Sequence, residues 1–188
     1  MILTDNTAVD SALRPVLNAL SVQRPVFSQL YGRLTVEPVR NVDALQSAAN
    51  KPRRLPLYTN PNGKTRLIVP DEKLTGLLFF IVTGPARTPD WQPGNTDVTG
   101  GTYTAELPIS LIAWWKRAGE NSADEVKRDI LLALGRCYDW TTAAVDDQIA
   151  TGVFKGLDYD FDNHSYLVHP YAGLRIDGTL SITECICC

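Results

Sequence analysis

The sequence predicts an α+β fold: a mostly antiparallel sheet with helices packed on one face and long loops between the elements. Three observations lead there. The helical stretches are segregated, one near the N-terminus and one with its own cap at Ser122. Between and after them run short segments of alternating apolar and polar residues, two of which flank an Asn-Gly turn, a signal for an antiparallel hairpin. Twelve prolines and 13 glycines in 188 residues mark many turns. Helices grouped in this way, rather than one after every strand, pack as a layer on a sheet. No repeat, low-complexity tract or linker divides the chain, so one domain over residues 1–188 is expected. It should carry an extended loop at residues 84–101 and a short cysteine-containing tail at 184–188.

The elements follow in order. Val9, Leu13, Val16, Leu17 and Leu20 recur at helical spacing, and Pro15 predicts a helix that starts near Ser11 or kinks. Residues 26–30 fit a short strand or a helical turn; residues 34–39 are extended, and Pro38 favours an edge position. A short helix is expected over residues 42–50. Residues 55–59 and 65–69 form a hairpin around Asn60-Pro61-Asn62-Gly63-Lys64. Residues 77–82 are apolar throughout, as a central strand requires. Residues 102–115 alternate and read as one long strand or two, with Pro108 marking an edge or a bulge. Ser122 and Glu125 form a capping box for a helix whose Val126, Ile130, Ala133 and Leu134 share a face. Residues 141–149 are ambiguous and fit a second, shorter helix. Strands over 154–161 and 171–182 finish the chain.

Bulk properties exclude several classes. The hydrophobic share is 44% and the charged share 21%, as in globular proteins. A net charge of −3 gives no global basic field to hold nucleic acid. No apolar run reaches the roughly 18 residues of a membrane span. The start Met1-Ile2-Leu3-Thr4-Asp5-Asn6 has no basic segment and no apolar core, so no signal peptide is expected, and the expected compartment is the cytoplasm of the producing cell.

Chemistry-bearing motifs are incomplete. Asn62-Gly63-Lys64-Thr65 resembles the end of a phosphate loop, but Tyr58 stands where the first glycine belongs. The run Asp158-Tyr159-Asp160-Phe161-Asp162-Asn163 opens like a calcium loop, yet Asn163 and His169 occupy the glycine and final acid positions. The two histidines, His164 and His169, fall in loop sequence, and no nucleophile elbow is present. Cys137 and the cluster Cys185-Ile186-Cys187-Cys188 lack zinc-ligand spacing. The expectation is therefore a protein that is not an enzyme and needs no cofactor.

The run over residues 157–162 stands out for another reason. In an extended strand Leu157, Tyr159 and Phe161 face one side, and Asp158, Asp160 and Asp162 the other. Three like charges in a row must be wet or functional. Arg53, Arg54 and Lys64 form a modest positive cluster around the hairpin, suited to an acidic partner surface. Trp91 lies inside the long loop, and of the adjacent Trp114 and Trp115 one is expected in the core and the other against a partner.

The order of these elements resembles that of the tail terminator and tail-completion proteins of tailed bacteriophages, over roughly residues 4–183. The closest local matches are the closing strand Tyr171-Ala172-Gly173-Leu174-Arg175-Ile176 and the strand Pro108-Ile109-Ser110-Leu111-Ile112 followed by the capped helix. The resemblance implies a small α+β virion subunit that closes a ring, commonly six-fold, at the head–tail junction. That ring caps the tail tube and meets a neck or connector protein, and DNA passes through it. On that reading, which the resemblance itself does not supply, Asp158, Asp160 and Asp162 would line the bore and repel phosphate. Arg53, Arg54, Lys64, Trp91 and Trp114 would contact neighbouring subunits or partners. Three other readings stand beside it: a different ring protein of the neck or tail, a small cytoplasmic metal-dependent hydrolase built on Asp158, Asp160 and His164, and a monomeric module gripping a partner with Trp91.

Overall fold

The computed structural model describes residues 6–23, 26–39, 53–60, 62–87, 101–117, 122–137, 139–147, 150–159 and 170–186. In chain order these form α1 (Asn6–Gln23), β1 (Gln29–Val39), β2 (Arg53–Thr59), β3 (Thr65–Leu67), β4 (Gly76–Val82), β5 (Gly101–Lys116), α2 (Ala123–Leu134), β6 (Trp140–Asp146), α3 (Ala150–Val153) and β7 (Tyr171–Ile186). The strands make one seven-stranded sheet in the order β3-β2-β1-β4-β5-β7-β6. Five of its six pairings are antiparallel, and β1 with β4 is parallel. The fold is α+β, as the sequence predicts.

The period-two alternation of the central strands divides the core into two layers. On one face lie Leu78 and Phe80 of β4, Ile109, Leu111, Ala113 and Trp115 of β5, and Leu174, Ile176 and Leu180 of β7. They pack beneath Val9, Leu13, Val16 and Leu20 of α1 and Val126, Ile130 and Ala133 of α2. On the other face Leu77, Phe79, Ile81, Ile112 and Trp114 meet Tyr31, Leu34, Leu55 and Ile68, together with Val153, Phe154, Leu157 and Tyr159. The two long helices share one face, while the single turn α3 and the chain after it cover the opposite one.

The helix α1 runs through Pro15 and begins at Asn6, earlier than the expected start near Ser11. Proline at 15 removes the bond to the Ser11 carbonyl. Ser11 and Pro15 are both on the exposed side, where the lost bond costs least, while four residues of the opposite face are fully buried. Packing outweighs propensity here. The helix α2 starts where its capping pair predicts: the Glu125 amide donates to Ser122 Oγ at 3.4 Å, and the Glu125 carboxylate accepts from the Ser122 hydroxyl at 2.9 Å. Gly135 ends it in a right-handed conformation, φ −60°, donating its N–H to the Leu131 carbonyl.

Pro108 lies in an interior strand, not at an edge. Its carbonyl accepts from the Thr83 amide at 3.0 Å, so its nitrogen faces the same neighbour, just past the end of β4. The one bond that proline cannot make ends the β4–β5 ladder at Val82↔Ile109. Pairing resumes between Arg87 and Glu106, with residues 84–86 thrown out between. The β5–β7 register is continuous through Pro108↔Thr179. Pro38 follows the same logic: β1 pairs β4 only through Leu34, so Pro38 has a strand on one side, β2.

Several expectations are corrected. Residues 141–146 belong to strand β6, not to a helix. Of the strand expected over 154–161, the described residues 154–159 form none: α3 is followed by a turn at 154–156, where Gly156 takes φ +83°, and residues 157–159 join no ladder, while residues 160–161 lie outside the described residues. Residues 26–28 form a turn, and β1 is one strand from Gln29. Gly101 opens β5 and is not loop, and residues 184–186 are the end of β7, not a tail. The expected helix at 42–50 and most of the 84–101 loop lie outside the described residues.

Gly178 fixes where β6 sits. A Cβ there would fall 2.5 Å from Trp140 Cζ2 and 2.6 Å from the Thr141 carbonyl oxygen. Trp140 therefore lies directly over the glycine, next to the register shift between Thr142 and Ala144. Gly178→Ala is expected to displace β6 and cost about 1–3 kcal/mol, the range for overpacking. Hydrogen exchange checks this: amides 140–146 should exchange faster in the variant, while those of β4 should change little.

Candidate assembly surface

The sheet has covered faces, so its edges are what it offers to other molecules. At one end β6 pairs, among the described residues, with β7 alone. Thr141, Thr142, Ala143, Ala144 and Val145 are all exposed, with Val145 at 42%. This strand carries no charge between Trp140 and Asp146 and no proline. Such an edge presents unpaired N–H and C=O groups to any strand that can reach them. Beyond Ser181, no strand among the described residues flanks β7 on the β6 side either. Carboxylates bracket β6. Asp139 is exposed. Asp146 is half-buried and sits against Gly152, where a Cβ would meet its Oδ2 at 2.0 Å. Asp147 pairs with Lys127 at 2.5 Å.

The opposite end is different. There β3 is three residues long and carries Arg66. The turn before it is built on Asn60, whose Oδ1 accepts from the amides of Asn62 (3.0 Å) and Lys64 (2.9 Å), with Gly63 at φ +76°. Lys64 and Arg54 are exposed; Arg53 is half-buried. Arg66 donates to the Tyr31 hydroxyl at 2.6 Å and lies over the rings of Tyr31 and Tyr58, 5.5 and 5.4 Å from their centroids. The Tyr31 hydroxyl in turn donates to Gln29 Oε1. Burial raises the Tyr31 pKa, and the Arg66 charge partly opposes that rise. The sequence reading of this positive cluster missed Arg66, although the alternation Thr65-Arg66-Leu67 could have placed it.

Two groups expected to act separately meet. Asp158 Oδ2 accepts from the Arg54 amide at 2.7 Å, and the Asp158 amide donates to the Arg54 carbonyl at 2.9 Å. Leu157 and Tyr159 are buried on either side of the exposed Asp158, and the Tyr159 hydroxyl donates to the Ile68 carbonyl at 2.8 Å. Asp158 thus alternates with its apolar neighbours as expected, but in an extended segment stapled to β2 and not in a strand. Asp160, Asp162, His164 and Trp91 lie outside the described residues.

Trp114 is corrected as a partner contact. It is 2% exposed and stacks on Tyr171 with ring centroids 4.7 Å apart, while Trp115 is 1% exposed on the other face. Both tryptophans are core residues because both faces of β5 are covered. The Cys137 thiol is buried and donates to the Ala12 carbonyl at 3.3 Å; burial raises its pKa, which makes it a poor nucleophile.

Beneath the exposed residues of this second face lies a buried polar cluster. Arg175, 5% exposed, donates from Nε to Asp177 Oδ1 (2.7 Å), from Nη2 to Ser110 Oγ (2.9 Å) and from Nη1 to the Lys155 carbonyl (2.7 Å). Ser110 Oγ donates to Asp177 Oδ1 at 2.5 Å. Every arm of the guanidinium is used, so the cluster ties the turn after α3 to the sheet. Among the described residues no group of three or more His, Cys, Asp and Glu side chains is placed to hold a metal ion, and no helix is long and apolar enough to cross a membrane. No protein-family model matches this chain, and no curated protein matches it.

Proposed function

We propose that this chain is a structural subunit of a tailed-phage virion that closes into a ring at the head–tail junction. The ring ends growth of the tail tube and joins tail to neck, and DNA passes through it without sequence-specific contacts. Its partners are further copies of itself in a six-fold ring, the tail tube protein and a neck or connector protein. It performs no catalysis, and it resides in the virion after assembly in the host cytoplasm. The observation that carries self-association is the open edge strand β6, exposed along its length and free of charge between its ends. Support for the junction role comes from the order of elements on which the resemblance rests: an N-terminal helix, a long strand, a capped helix and a closing strand. The exposed Asp158 suits a bore that keeps phosphate from adhering.

The mass of the purified chain in solution, combined with negative-stain imaging, tests the proposal. A closed ring of copies is expected at micromolar concentration. A monomer that retains a stoichiometric metal ion after purification without chelator would overturn it in favour of a hydrolase.

A further inference from the structure

The end strands of the sheet and their flanks differ in charge, although the exposed Asp158 is held against Arg54 at the β2–β3 end. Residues 139–147, which contain β6, hold Asp139, Asp146 and Asp147 and no cation. Residues 53–67, which contain β2 and β3, hold Arg53, Arg54, Lys64 and Arg66 and no acid. Near β6, Lys127 pairs with Asp147. An antiparallel pairing of β6 with a second β6 would bring Asp139 of one copy to Asp146 and Asp147 of the other, and like charges oppose it. A pairing of β6 with the β3 edge brings acids to cations.

We infer that β6 of one subunit takes the β3 edge of a second copy of this chain, running parallel to it, so that the sheet continues from subunit to subunit with Asp139 of one copy opposite Lys64 of the next. This deepens the reading above and rests on it. The contact is heterologous: each copy offers β6 on one side and β3 on the other, and such contacts propagate until a ring closes. Main-chain hydrogen bonds supply affinity in strand addition, and flanking charges select the partner and the register. The shortness of β3 keeps an isolated subunit from pairing indiscriminately at that end, and the same role falls to the register shift in β6 at the other.

Charge exchange tests the contact. Asp139 and Lys64 are both exposed and neither lies in the core, so Asp139→Lys and Lys64→Glu should fold normally, which circular dichroism checks. Sedimentation velocity over a concentration series then reads association. Each single variant is expected to associate at least tenfold more weakly than the parent, and the double variant D139K/K64E is expected to recover to within about threefold. A parent that associates while neither single variant changes overturns this contact and leaves the ring proposal standing. Weakened singles without recovery in the double variant also overturn the direct pairing. A parent that remains monomeric overturns both.

Discussion

Arg175→Met is expected to destabilise the fold by about 3–5 kcal/mol, the range for breaking a buried ion pair by removing one partner. The guanidinium is nearly inaccessible and makes three hydrogen bonds, to Asp177, Ser110 and the Lys155 carbonyl. Methionine fills much of the volume but donates none of them. The Lys155 carbonyl and Ser110 lose their donors. Asp177, whose side chain is 39% exposed, recovers part of its solvation from water and holds the loss toward the lower end. Urea denaturation followed by far-ultraviolet circular dichroism measures the change. Limited proteolysis adds the local signature: cleavage near residues 154–159 should accelerate in the variant, because Arg175 is what ties that turn to β7. The double variant R175M/D177M should recover only a small part of the loss, because the Lys155 carbonyl and Ser110 still lack the donors that Arg175 supplied.

Trp114→Ala is expected to cost about 3–5 kcal/mol, as a large aromatic removed from a packed core does. It would leave a void between Tyr171, with which it stacks, and the residues of β4 and α3 that share its layer. Trp114→Phe preserves an aromatic surface and should cost distinctly less. Denaturant midpoints for the two variants check the order. The experiment also discriminates between roles: a residue reserved for a partner would lower association and leave the stability of the isolated subunit unchanged, whereas Trp114→Ala is expected to lower stability first.

Much of the fold was legible because strong periodicity met clear punctuation. The capped helix from Ser122, the hairpin around Asn60 and Gly63, the uniformly apolar β4 and the closing strand each had a local pattern that tertiary contacts reinforced. Errors came where local preference and long-range pairing disagreed. Thr141-Thr142-Ala143-Ala144 offers no decisive period, and pairing with β7 determines its state. Residues 154–161 alternate like a strand, but the chain turns at Gly156 and the described residues 157–159 join no ladder. Trp114 was misassigned because a single helical layer on the sheet leaves the second face wet. That face is covered by α3, the segment after it and the curl of β1 and β2, a long-range arrangement with no local mark. The candidate surface suffered most: β6 was read as helix, so the acids around it were not recognised as one end of a sheet.

The position of β7 has a consequence for biosynthesis. It lies between β5 and β6 and pairs with both, yet it follows every other element in the chain. Until residues 171–186 leave the ribosome, the 16-residue flank of β5 has no companion, and β6 has nothing to bind. A nascent chain arrested before residue 171 therefore displays a long, largely apolar ribbon edge of the type that chaperones capture and that precipitates when they do not. Docking of β7 is therefore expected to come late, and a chain cut before residue 171 is expected to be less soluble than the full chain, which expression and fractionation of the truncated chain check.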